Sequence, residues 1–157
     1  VKLIVVAVGR LKASWAIDGC ADFQKRCRRY LPVEVVEVRD VPRRKGESAT
    51  QWKAKEAVGI LAALEGVDRV IALDEHGRGQ PSRAFAEWLR DERDNGVRSV
   101  AFVIGGPDGL DAKVRRRALR SWSLGESTMP HELARLVLLE QLYRAGTLLA
   151  GLPYHRD

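Results

Sequence analysis

The chain has 157 residues, of which 45% are hydrophobic and 31% charged, enough for one domain with a sizeable core and ordinary for a globular protein. No stretch reaches membrane-spanning length without charge, so a bilayer partner is not expected. A formal net charge of +6 leans toward a polyanionic partner but does not identify one, because many basic proteins bind no nucleic acid.

Residues 3–8 form an unbroken apolar run ended by Gly9. Such a run suits a strand covered by helices on both faces, and it is too short for the core of a signal peptide. Ala16, Cys20, Phe23, Cys27 and Tyr30 then recur at helical spacing, with Pro32 closing the segment. The two cysteines sit two turns apart on that helix, about 10 Å between Cα atoms, which is too far for a disulfide. They read as small buried side chains in a reducing compartment, and a cytoplasmic location is expected. Residues 33–38 alternate valine with glutamate, as an edge strand would. Residues 39–50 form a basic loop without apolar periodicity, and residues 51–64 return to helical spacing.

Residues 69–73 predict a third strand, and residues 74–79 a polar, glycine-bearing loop at its carboxyl end. A helix follows from Pro81, with Phe85, Trp88 and Leu89 inward, and residues 99–104 form a fourth strand running into Gly105-Gly106-Pro107-Asp108-Gly109. A short helix over residues 111–119 carries Arg115-Arg116-Arg117, and Trp122-Ser123-Leu124 is a brief fifth strand. The alternation of strands and helices predicts a single α/β domain over residues 1–157, with a mainly parallel sheet flanked by helices.

In such sheets ligands bind beyond the carboxyl ends of the strands. Three loops fall there, after Leu73, after Ile104 and after Leu124. Neither the dinucleotide fingerprint nor the phosphate-binding Gly-Lys-Ser/Thr is present. Ser127 lacks a nucleophile-elbow context, and His76, His131 and His155 lack metal-ligand spacing, so no metal is expected. Pro130 opens the last helix, which is apolar all round over residues 136–139. Such a helix must be covered on more than one face; a second subunit is the natural cover, and a central buried position is the alternative. The tail, residues 151–157, carries Tyr154-His155-Arg156, side chains suited to stacking on a base and gripping phosphate, although a frayed terminus is the usual reading of such a position.

Several motifs in order carry a resemblance: Val70-Ile71-Ala72-Leu73-Asp74 with Gly77, then Phe102-Val103-Ile104 with the glycine turn, then Ser121-Trp122-Ser123-Leu124. Thr128-Met129-Pro130-His131, Glu140-Gln141-Leu142-Tyr143-Arg144-Ala145 and the closing Tyr154-His155-Arg156 complete it. Over essentially its whole length the chain resembles the small bacterial ribosomal RNA methyltransferases of the SPOUT superfamily, specifically the RlmH family.

The resemblance implies S-adenosylmethionine-dependent methylation of a ring nitrogen of pseudouridine in large-subunit ribosomal RNA. It further implies a homodimer with a deep trefoil knot at the carboxyl end. The expected partner is ribosomal RNA in the assembled ribosome, with neither DNA nor membrane. Carried over by motif, the cofactor would lie against Leu73, Gly105, Leu124, Gly125, Glu126, Ser127, Thr128 and Met129. Arg144, Tyr154, His155 and Arg156 would contact substrate or do acid–base work, the tail of one subunit completing the site of the other. His155, Asp74 and Glu75 are the candidate proton acceptors. A catalytically silent dimeric RNA-binding protein of the same fold is the alternative.

Overall fold

The computed structural model covers residues 1–157. Strands and helices alternate as β1 (Lys2–Val8), α1 (Ser14–Cys27), β2 (Val33–Val38), α2 (Ala49–Ala63), β3 (Arg69–Arg78), α3 (Ser82–Asp94), β4 (Ser99–Ile104), α4 (Ala112–Arg117), β5 (Arg120–Trp122) and α5 (His131–Leu149). The five strands form one sheet in the order β2-β1-β4-β3-β5, and every pairing is parallel.

The apolar runs of β1 and β4 follow from a sheet covered on both sides. Leu3, Val5, Val100 and Phe102 point into one core with α1, α3 and α5, while Ile4, Val6, Ala101 and Val103 point into a second core with α2 and α4. Alternating strand residues feed opposite layers, so each must be apolar. β2 pairs only with β1 and lies at the sheet edge, which its exposed Glu34 and Glu37 tolerate.

Helix α5 packs against α1 on one side and α3 on the other. Its Leu138, Leu139 and Leu142 are fully buried in the larger core. The all-round apolarity of residues 136–139 is met within the chain at Leu138 and Leu139, while Leu136 and Val137 stay partly exposed. Two polar residues pin the start of this helix. Glu132 accepts the Lys12 and Ala13 backbone N–H groups, and buried Arg135 donates to the Gly9 carbonyl and pairs with Glu37, both at 3.0 Å. Together they fix α5 to the turn that follows β1.

Three boundaries depart from the sequence reading. β3 continues to Arg78, because the strand bulges and rejoins: Leu73 and Arg78 both pair with Trp122, and residues 74–77 are thrown out between them. β5 is displaced toward the N-terminus, to Arg120–Trp122, so that Trp122 rather than Leu124 enters the core and stacks on Phe85 at 4.4 Å. Pro130 is the N-cap of α5, not a residue of its first turn.

Candidate ligand cavity at the carboxyl edge of the sheet

Because all five strands are parallel, their carboxyl ends share one edge. A cavity of about 710 Å³ opens there, walled by the β3 bulge, the turn after β4, and the segment between β5 and α5.

Each wall has a local cause. The bulge can lie against β5 because residue 77 is glycine, where a Cβ would come within 2.7 Å of the Ser121 carbonyl carbon. In the turn, Gly109 N–H donates to the Gly106 carbonyl (3.0 Å), and a Cβ on Gly105 would meet the Gly109 oxygen at 2.8 Å. A side chain at residue 105 would force the turn open. The third wall is held at both ends. Buried Ser123 donates to the Gly125 carbonyl (2.6 Å) and accepts from its N–H (3.1 Å), and the Thr128 hydroxyl donates to the Glu75 carboxylate.

Leu73, Gly105, Leu124, Gly125, Ser127, Thr128 and Met129 all line the cavity; Glu126 is exposed and does not line it. The structure thus brings seven of the eight expected cofactor residues to one surface. Leu73, Leu124 and Met129 supply apolar area, while the glycines supply approachable backbone.

Charged groups line the cavity as well, and most are already paired. Asp74 accepts His76 N–H on one oxygen (3.0 Å) and meets Arg115 Nη1 on the other (2.8 Å). Arg115 also donates through Nε to the Leu110 carbonyl (3.3 Å), which joins α4 to the glycine turn. Asp108, in that turn, pairs with Arg43 at 2.5 Å, and the Arg43 guanidinium lies 4.7 Å from the Trp52 ring centre. Behind the turn, the Glu56 carboxylate is buried against Gly106. Burial pushes its carboxyl above the usual carboxylate range, against the opposing effect of Arg43.

The four expected catalytic residues lie elsewhere. Arg144 and Tyr154 converge on Glu140, which accepts from the Arg144 guanidinium and from the Tyr154 hydroxyl (3.0 Å). Arg144 also lies 4.9 Å from the Tyr154 ring centre and 3.2 Å, Nη1 to Nδ1, from His155. His155 Nε2 meets Asp157 at 2.9 Å, and Asp157 pairs with Arg83 of α3 at 2.5 Å. Burial, followed by the nearby Glu140 charge, raises the Tyr154 phenol above its ordinary value. Arg156 is exposed. Ala134 lines the cavity, and Arg144 is ten residues further along the same helix, about 15 Å away at 1.5 Å per residue. Within one chain the tail cluster and the cavity are separate.

Sequence reading missed Arg43, Asp108, Arg115 and Glu140 as parts of these two clusters. Glu140 carried a usable signal, the i,i+4 spacing to Arg144. The pairs Arg43–Asp108 and Arg115–Asp74 span distant segments and carried none.

Comparison with known proteins places this geometry in a family. The family model described as a predicted SPOUT methyltransferase matches residues 1–155. A protein of Solidesulfovibrio magneticus named ribosomal RNA large subunit methyltransferase H is 47% identical over 155 residues, covering 98% of this chain and 97% of that one. Its namesake from Xanthomonas euvesicatoria is 43% identical, covering 99% of both. Among solved structures, a probable methyltransferase from Bordetella pertussis superposes with a TM-score of 0.58 at 19% identity, over 91% of this chain and 95% of that one. A probable methylase family protein from Haemophilus influenzae gives 0.58 at 14% identity, over 99% and 70%. These two structures share the fold. With a family match over nearly all of its length and full-length relatives above 40% identity, the chain belongs to the SPOUT methyltransferase family, alongside the large-subunit ribosomal RNA methyltransferase H proteins.

Proposed function

We propose that this protein is a cytoplasmic, homodimeric enzyme that methylates a ring nitrogen of pseudouridine in large-subunit ribosomal RNA on the assembled ribosome, using S-adenosylmethionine. The observation that carries the reading is the single cavity formed by three strand-end segments in a member of this family.

The cavity fits the cofactor. Its volume falls in the roughly 300–1,000 Å³ range of small-molecule sites. Leu73, Leu124 and Met129 offer apolar faces for a purine, and the Gly105 turn offers backbone hydrogen bonds. When bound, the cofactor supplies an electrophilic methyl group on a sulfonium. The chain's own residues must align the base nitrogen with that methyl group and help it lose its proton. Orientation supplies much of the rate, and cationic donors such as Arg144 stabilise negative charge developing on the base.

The roughly 15 Å between the cavity and Arg144 favours a dimer in which the tail of one subunit reaches the cavity of the other. Exposed Trp15 and Ile17 on α1, at 51% and 45%, offer apolar surface for the contact. The trefoil knot belongs to the same reading; in the β3 bulge the Gly77 backbone lies close against Ser121 of β5. Asp74, Glu75 and His155, the candidate proton acceptors, are each engaged within the chain, by Arg115, by Thr128 and by Arg144 with Asp157.

The deciding experiment supplies methyl-labelled S-adenosylmethionine with ribosomes from a strain lacking the modification. Label should appear in large-subunit RNA at a pseudouridine. Tight cofactor binding without transfer to any ribosomal RNA would leave the silent RNA-binding alternative.

A further inference from the structure

In the cluster of residues 115–117 only Arg116 is left without a partner, since Arg117 donates to the Val67 carbonyl, whereas in that of residues 43–45 two cations, Arg44 and Lys45, are left. Arg115 is committed to Asp74 and the Leu110 carbonyl, and Arg43 to Asp108. Arg10, Lys12, Arg39, Arg44 and Lys45 are exposed and make no salt bridge, whereas Arg43 beside them does.

These five lie in only two segments, the connections that follow β1 and β2. Sheet register fixes where those segments start. Ala7 is level with Ile104, and Val8 with Val38, so the chain leaves β1, β2 and β4 side by side. At about 4.8 Å per strand, the β1 and β2 connections begin roughly 5 and 10 Å from the Gly105 turn. The Arg43–Asp108 pair then draws the longer connection toward that turn. Arg44 and Lys45 are the next two residues after this tether to Asp108, which lines the cavity. Nearby acids do little to cancel this charge: Glu37 is paired with Arg135 and Glu47 with Lys55, which leaves Asp40 as the unpaired carboxylate of the two segments.

We propose that the unpaired cations after β1 and β2 form a ledge beside the cavity that binds phosphates of the RNA flanking the target nucleotide, with Arg43 as the positioning residue that sets the ledge against the Gly105 turn. This rests on the reading of the chain as a ribosomal RNA methyltransferase and names how that same site takes its substrate. Phosphate is the fitting ligand because the ledge gathers several exposed point charges, the arrangement that gives salt-dependent, sequence-independent RNA affinity.

The test compares the wild-type dimer with R44A/K45A, with R43A, and with R90A/R93A, which removes the same charge from α3. Three readouts are taken: affinity for a labelled RNA hairpin across a salt series, affinity for unmodified ribosomes, and calorimetric binding of S-adenosylhomocysteine. R44A/K45A should bind the hairpin about ten-fold more weakly at low salt and lower the slope of log affinity against log salt by about 1.5, while binding S-adenosylhomocysteine normally. R43A should lose at least as much RNA affinity, although it removes one charge instead of two, and R90A/R93A should change little. Equal losses in R44A/K45A and R90A/R93A would reduce the effect to net charge and overturn the ledge. So would unchanged hairpin affinity in R44A/K45A, and if ribosome affinity alone fell, the surface would belong to a ribosomal protein contact. Failure of the wild type to methylate ribosomal RNA would instead strike the underlying reading, whatever the variants do.

Discussion

Arg144 Nη1 lies 3.2 Å from His155 Nδ1, and on the far side of the ring Nε2 lies 2.9 Å from Asp157. A guanidinium only donates, so Nδ1 is the acceptor of this pair and the ring proton sits on Nε2, directed at the carboxylate. The imidazole is thus oriented from both sides, and through Asp157 the tail is fastened to Arg83. The cluster is ordered within its own chain, yet far from that chain's cavity.

That separation yields the first prediction. Arg144→Ala and a variant lacking residues 153–157 should each bind S-adenosylhomocysteine normally while losing methyl transfer by about 10² or more. Mixing the tail-deleted variant with one whose cavity is blocked at Gly105, after exchange of subunits, should restore activity through heterodimers that hold one complete site. Two inactive partners that stay inactive after verified exchange would rule out a site shared between subunits.

Gly105→Ala places a methyl group 2.8 Å from the Gly109 carbonyl oxygen. The backbone must give way, at a cost of about 1–3 kcal/mol in strain. The turn that opens is a cavity wall, so cofactor affinity should fall ten-fold or more while the circular dichroism of the fold is kept. Isothermal titration with S-adenosylhomocysteine checks this directly.

Arg135→Met should destabilise the protein by about 2–3 kcal/mol, the worth of charged hydrogen bonds lost in a buried place. It strips the Gly9 carbonyl and Glu37 of their partner. Methionine keeps the volume, so the loss reports the polar contacts rather than a cavity. Urea unfolding at neutral pH gives the number, and a midpoint unchanged from wild type would show that the Arg135 contacts add nothing to the hold on α5.

Asp68 offers a pH test. Its carboxylate accepts the Arg98 side chain and backbone N–H (2.8 Å) and joins the starts of β3 and β4. Those bonds to Arg98 hold its carboxyl down at about 2. A depressed folded-state value means stability present above the unfolded value near 3.9 and lost as pH falls through about 2. Asp68→Asn should therefore lower Tm at pH 7 and converge with wild type near pH 2. A Tm deficit that is the same at pH 7 and pH 2 would remove the ionic explanation.

Local sequence was informative wherever one segment decides its own structure. The apolar runs of β1 and β4 foretold a sheet covered on both faces, and the glutamates of β2 foretold an edge. The three strand-end loops could be picked out because a parallel sheet sends all its carboxyl ends to one side. Where the reading slipped, a distant partner decided the outcome. Nothing within residues 74–77 announces that the chain leaves β5 and returns to it, since Trp122 supplies both pairings.

What the sequence by itself determined is the α/β class, the order of its elements and the family, because these rest on periodicity and on motifs that survive without neighbours. Only the tertiary structure decided that α5 is the middle helix of three, that Arg43 and Arg115 serve carboxylates far along the chain, and that the tail packs on Arg144 and Arg83 instead of lining the cavity. Each of these depends on which segments meet after folding. An ion pair between residues 43 and 108 leaves no periodic trace in either segment, because its energy is realised only once the sheet has brought them together.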